Sequence, residues 1–172
     1  MRTLIKEWII PFIIALVIAS TIKRFLFFVA FIPSGSMENT IMTGERLLVT
    51  RVHKPEKLER GSIVVFYSKE GNVDLIKRLI GLPGDRIKIV DGIVYVNGEE
   101  MAEPYVENKD KGTYFEGNEI VVPDNSYFFL GDNRAGSIDG RFWSQPFIAA
   151  EDIKGQARLV IFPFNKIRFL DD

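Results

Sequence analysis

The order of apolar and polar positions divides the chain into a greasy opening and an alternating remainder. Residues 8–22 are apolar apart from Ser20 and Thr21, with Pro11 near the start, where a helix tolerates it. Fifteen residues in a helix cover roughly 22 Å, short of a hydrocarbon core of ~30 Å. Adding Leu4 and Ile5, with Lys6, Lys23 and Arg24 reaching back to the headgroups, brings a transmembrane helix within range. Residues 25–32 add a second apolar patch suited to the bilayer interface. A cleaved secretory leader ending near Val17-Ile18-Ala19 is the alternative, but cleavage there leaves 25–32 as a greasy tail.

Beyond that opening the rhythm shortens to the two-residue period of strands. Strands are expected at 47–52, 63–67, 73–80, Arg86–Val90, Ile93–Val96, 119–122, 127–130 and 157–162, the last stopped by Pro163. Asp91-Gly92 and Asn97-Gly98 are two-residue turns of the primed hairpin kind. Residues 99–118, with Pro104, Gly112 and Gly117, form a long polar excursion. The expected fold is mainly β: an N-terminal transmembrane helix, then an antiparallel β-sheet or barrel-like domain. The boundary is drawn between a membrane unit, 1–32, and a β-rich unit, 33–172.

Charge sharpens this division. The chain has a formal net charge of −1, but residues 1–32 carry +3, so the remainder carries −4. An acidic domain without basic runs argues against nucleic acid as a partner. There is no cysteine, which removes disulfides, cysteine nucleophiles and thiolate metal sites. The single histidine, His53, lies in a polar run and is expected to be solvated. Neither a metal nor a cofactor is expected.

Three stretches carry candidate chemistry. In Ile32-Pro33-Ser34-Gly35-Ser36-Met37 two hydroxyls flank a glycine, which suits either a plain turn or a serine held forward as a nucleophile. A nucleophilic serine needs a base, and without a suitable histidine the choice falls to carboxylates or a lysine. Lys77 lies inside an otherwise apolar strand, Leu75-Ile76-Lys77-Arg78-Leu79-Ile80. Burial would lower its pKa, whereas its neighbour Arg78 cannot deprotonate. An edge-strand lysine that keeps a sheet soluble fits the same pattern. The third stretch, Gly131 to Arg141, alternates Asp132, Arg134, Asp139 and Arg141, which can pair within one loop and aim Ser137 at a neighbour.

Taken together and in this order, the three stretches resemble the boxes of the type I signal peptidases, membrane-anchored serine proteases that remove signal peptides from exported proteins. The resemblance covers most of residues 8–163 and implies the catalytic fold of that family, with an apolar surface resting on the lipid bilayer. It implies Ser36 as nucleophile and Lys77 as general base. Ser34 is implied as an oxyanion donor beside the Ser36 amide, Ser137 as the hydroxyl orienting Lys77, and Asp139 and Arg141 as loop braces. The substrate is implied to lie extended along the Lys77 strand, with Ile32, Met37, Asp74, Leu75 and Ile76 among the residues binding it. The implied location is the cell membrane, single-pass, with the catalytic domain on the extracytoplasmic side. The charges flanking the apolar opening, Arg2 and Lys6 before it and Lys23 and Arg24 after it, leave the orientation open, and the N-terminus inside is preferred. The implied partners are the signal peptides of exported preproteins.

Two positions depart from the family pattern. Asn39 stands where proline is usual and Gly140 where serine is usual, and both are expected to loosen their turns. Ser20-Thr21-Ile22-Lys23 matches S-x-x-K spacing but lacks the partner motifs of the penicillin-binding enzymes. Two other classes fit parts of the chain. One is a tethered module that binds peptides without cutting them. The other is a serine–lysine autoprotease of the repressor-cleaving kind, against which the apolar opening and the acidic domain both speak.

Overall fold

The computed structural model describes residues 5–107 and 117–170. Arg2 and Leu4 of the expected anchor, Gly112 of the polar excursion, and the side chains of Ile5 and Lys23 lie outside the described residues.

After a π-helical turn at Ile5–Ile9, helix α1 runs over Ile10–Phe25 with Pro11 in its first turn, where its fixed φ suits a helix. Its 16 residues measure about 24 Å. Trp8, Phe12, Leu16 and Val17 all face outward. Among the described residues no helix is long and apolar enough to cross a membrane, so α1 alone does not establish the expected span. At its end the Leu26 amide donates to the Ile22 carbonyl at 2.9 Å, and the Arg51 amide donates to the Leu26 carbonyl at 2.8 Å. His53 is exposed as expected, but its Nε2 lies 2.9 Å from the Phe25 carbonyl, at the negative end of the helix.

Twelve described strands follow: β1 (Phe27–Phe31), β2 (Arg46–Arg51), β3 (Ile63–Ser68), β4 (Val73–Gly81), β5 (Arg86–Val90), β6 (Ile93–Val96), β7 (Glu99–Glu100), β8 (Glu119–Val121), β9 (Ser126–Leu130), β10 (Phe147–Ala149), β11 (Ile153–Phe162) and β12 (Arg168–Phe169). The patch expected at the bilayer interface is therefore partly β1, an edge strand paired antiparallel with β2 from Phe27 opposite Thr50 to Phe31 opposite Arg46. The larger sheet runs β1-β2-β11-β3-β4-β9-β10, with β12 on β11, and the smaller runs β7-β6-β5-β8. Both primed turns form, with positive φ at Asp91, Gly92, Asn97 and Gly98.

Three apolar clusters hold the sheets together. Ile32, Met37, Leu47, Val49, Ile63 and Val160 fill one, and Val64, Phe66, Leu79 and Phe129 fill another. Ile80, Ile87, Val94, Phe128 and Leu130 join the small sheet to the large one. Strand β4 lies between them. It pairs with β3 from Val73 to Arg78, but β9 covers its other edge only from Arg78 to Gly81. Along Val73 to Lys77 no strand among the described residues occupies that second edge.

Candidate active site

Ser36 sits in a tight turn between β1 and β2. The Ile32 amide donates to the Glu45 carbonyl at 3.0 Å and the Gly44 amide returns to the Ile32 carbonyl at 2.8 Å, closing the base of the loop. Inside it the Glu38 amide donates to the Gly35 carbonyl at 3.0 Å and the Ile41 amide to the Met37 carbonyl at 2.7 Å. At Gly35 a Cβ would meet the Glu38 carboxyl at 2.6 Å, the mobile end of a side chain that can swing aside. Met37 is driven into the core beside Ile32, which pulls Ser36 down to 8% exposure and leaves Ser34 exposed.

Lys77 meets this turn from β4. Its amine is 2.5 Å from the Ser36 hydroxyl, and the residue is 2% exposed. Loss of hydration disfavours the ammonium and lowers the Lys77 pKa from 10.5 to about 8. The charges of Asp139 and Asp132 oppose that shift, and Arg141 reinforces it. About a tenth of such a lysine is neutral at pH 7, and a neutral amine in direct reach of a hydroxyl is chemically able to take its proton. The alternative of an edge lysine serving solubility does not fit a side chain this deeply buried.

The third stretch packs behind the pair, with its charges partnered differently from the expected pairing within one loop. Only Asp139 and Arg141 pair locally, with Arg141 Nε 2.8 Å from Asp139 Oδ1 and Nη2 3.0 Å from Oδ2. The second Asp139 oxygen also accepts the Gly131 amide at 2.9 Å. Asp132 instead receives Arg78 of β4 in a two-pronged contact at 2.9 and 2.7 Å, and the Thr40 hydroxyl at 2.5 Å. Arg134 keeps its Nε on the Gly131 carbonyl but takes its ion pair from outside the loop, from Glu103.

Ser137 is buried, and its hydroxyl has no hydrogen-bond partner among the described residues, so the expected contact with Lys77 is not made in this state. The hydroxyl lies against Gly131: a Cβ there would come within 2.2 Å of Ser137 Oγ and 2.5 Å of the Ser36 carbonyl. Gly131 is the only residue type that fits between the serine turn and the Ser137 loop.

Asn133, which sequence reasoning did not single out, clasps the serine turn. Its backbone amide donates to the Ser36 carbonyl at 3.2 Å, and its side-chain amide to the Gly35 carbonyl at 3.0 Å. Its Oδ1 meanwhile accepts the Gly136 amide at 3.1 Å. The only signal for it was its place beside Asp132.

The two departures from the family pattern fit tightly rather than loosely. Asn39 has φ = 86°, a value proline cannot adopt and asparagine tolerates. At Gly140 a Cβ would meet the Phe128 ring at 2.6 Å, so glycine is what this packing accepts.

Of the residues expected to bind substrate, Ile32, Met37 and Ile76 share one apolar cluster at the Ser36 turn. Leu75 packs into the neighbouring cluster, on the other face of β4. Asp74 is exposed, with its carboxylate 2.6 Å from the Lys154 amine. Asp74, Leu75 and Ile76 all lie on the stretch of β4 with the open edge, next to Lys77.

Residues 5–162 match the family described as signal peptidase, peptidase S26. The chain is 39% identical over 173 residues to signal peptidase I of Bacillus licheniformis, covering 96% of this chain and 92% of that protein. It is 36% identical to signal peptidase I T of Bacillus subtilis, covering 94% and 88%. A crystal structure of a signal peptidase I from Enterococcus faecalis superposes with a TM-score of 0.50 at 30% identity, covering 58% of this chain and 96% of that one. The chain belongs to the signal peptidase family, peptidase S26, and is a serine endopeptidase of the signal peptidase I type.

Proposed function

We propose that this protein cleaves N-terminal signal peptides from exported preproteins at a membrane surface, using Ser36 and Lys77 through an acyl-enzyme. The observation that carries this is the buried 2.5 Å contact between an amine of lowered pKa and a hydroxyl. Neutral Lys77 takes the Ser36 proton as the oxygen attacks the scissile carbonyl. The Ser36 amide, with the Ser34 hydroxyl turned inward on binding, stabilises the oxyanion. The resulting ammonium gives its proton to the leaving amine, and the acyl group stays on Ser36. Lys77, neutral again, then deprotonates water, which releases the signal peptide. Ser137 orients the amine during these transfers, and Asp139 with Arg141 keeps the loop in place.

The open edge of β4 from Val73 to Lys77 would pair with an extended substrate and lay the scissile bond across Ser36. Ile32, Met37 and Ile76 then offer an apolar floor to small side chains beside that bond. Lipid association is supported by Phe31, Phe164, Ile167 and Phe169, all exposed, with Phe164 and Phe169 near 78% and 77%. With α1, these make a surface suited to a bilayer, and we place the catalytic domain on its extracytoplasmic side.

The test is to incubate the full chain with a preprotein and look by intact mass for the signal-peptide adduct on Ser36. Trapped adduct and released mature protein are expected, and both should vanish in Ser36→Ala. An inert Ser36 that still binds the preprotein would return the reading to a tethered peptide-binding module.

A further inference from the structure

The residues around Lys77 hold three buried guanidiniums, and the catalytic boxes supply carboxylates for only two of them. Arg78 has Asp132 and Arg141 has Asp139. Arg134 takes its partner from outside, from Glu103 in the irregular segment after β7. The two side chains are 2% and 3% exposed, so the pair is as dry as the other two. One guanidinium nitrogen is 3.0 Å from Glu103 Oε2, and a second meets Oε1.

Two residues on, the same segment lays the Tyr105 ring against Arg78, with the guanidinium carbon 3.8 Å from the ring centroid. The Tyr105 hydroxyl in turn donates to Glu103 Oε1 at 3.2 Å. A seven-residue strap, 101–107, thus grips one arginine next to the base and another in the loop behind the nucleophile.

Arg134 connects this grip to the reacting atoms. Its Nε donates to the Gly131 carbonyl at 3.1 Å, and its own carbonyl accepts Arg141 Nη2 at 2.7 Å. Gly131 is the residue wedged between the Ser36 carbonyl and the Ser137 hydroxyl. A buried guanidinium without a counter-charge does not stay buried, because desolvating it alone is too costly. Removing the Glu103 charge would swing Arg134 toward water and draw Gly131 off the serine turn.

We propose that Glu103 is a positioning residue for catalysis: through Arg134 and Gly131 it holds the Ser36 turn at the distance Lys77 requires. This rests on the Ser36–Lys77 reading above and adds to it a residue from the segment that the sequence pattern left without a role. The strap touches β4 at Arg78, beyond the open Val73–Lys77 edge, so the effect is expected on the chemical step rather than on binding.

The experiment uses the full chain with a fluorogenic signal-peptide substrate, comparing Glu103→Gln, Arg134→Gln and the double variant. Folded fraction is followed by thermal melt, and activity is expressed per folded molecule. Both single variants should lose about tenfold in kcat with KM within twofold. The double variant should lose no more than the worse single, since the two residues act as one unit. Tyr105→Phe, which keeps the ring on Arg78, should stay within twofold. A kcat within twofold of the parent in Glu103→Gln overturns the proposal and leaves a pair that serves stability alone. So do single losses that multiply in the double variant. Ser36→Ala is run alongside: residual cleavage there sinks the dyad reading itself, whatever the Glu103 variants do.

Discussion

Lys77 and Arg78 are neighbours on one strand, both basic and both buried, yet their surroundings treat them in opposite ways. Arg78 is fully matched: a two-pronged carboxylate, the Gly61 carbonyl at 2.7 Å and an aromatic ring all meet its guanidinium. Among the described residues the Lys77 amine hydrogen-bonds only the Ser36 hydroxyl, and the nearby carboxylates that could charge it are occupied by arginines. A satisfied cation is rigid and unreactive, whereas a starved one gives up its proton. In the mechanism proposed above, the first serves as frame and the second as base.

The strongest way to break this contrast is at its acceptor. Ser36→Ala should abolish cleavage, a fall of more than ~10⁴ in kcat/KM, with the thermal melt unchanged. Next comes the base. Lys77→Arg should be as inactive as Lys77→Ala, each losing ~10³-fold or more, since a guanidinium stays protonated. Appreciable turnover in the arginine variant would take Lys77 out of the role.

The frame should fail differently. Asp132→Asn leaves Arg78 buried without its counter-charge, so it should cost about 3–5 kcal/mol of stability, read from denaturant melts.

A smaller effect of opposite sign tests how starved the base is. With its pKa lowered from 10.5 to about 8, Lys77 binds its proton less tightly in the folded state than in the unfolded one. Its burial therefore penalises folding most below about pH 8, and the penalty fades as pH rises toward 10.5. Lys77→Met should gain on the order of 2–3 kcal/mol at pH 7 and almost none near pH 10.5. The parent's activity should climb as pH passes through about 8, where the amine becomes neutral.

The smallest effect is expected at Ser137. Its hydroxyl is buried without a partner, so Ser137→Ala should leave stability level or slightly raised. On the proposal that Ser137 orients Lys77 once substrate is bound, turnover should also drop up to ~10-fold.

What could be read from the sequence divides along a similar line. Hairpin strands β5 and β6 were legible to the residue, because Asp-Gly and Asn-Gly turns fix register locally. Ser36 and Lys77 were legible as candidates from their unusual settings, and as partners only through family resemblance. Strand β1 was missed because an apolar edge strand beside an apolar helix reads as one greasy run. Strands β7 and β12, two residues each, and β10, three residues, are too short to show a period. Charge pairing in the 131–141 loop was misjudged for a related reason. Proximity in sequence suggested Asp132 and Arg134 as local partners, whereas both reach other elements to be matched. Gly140 and Asn39 show the same limit, since only packing and a positive φ explain why those residues are there.

The half-covered edge of β4 carries one more consequence. Among peptides, only one with its own backbone groups unspent can replace water on that edge, so a helical or folded segment presents nothing to it. Cleavage would thus be conditional on local unwinding: a leader must surrender its last helical turn before the bond comes within reach, and a compact mature domain just downstream would be passed over whatever its side chains.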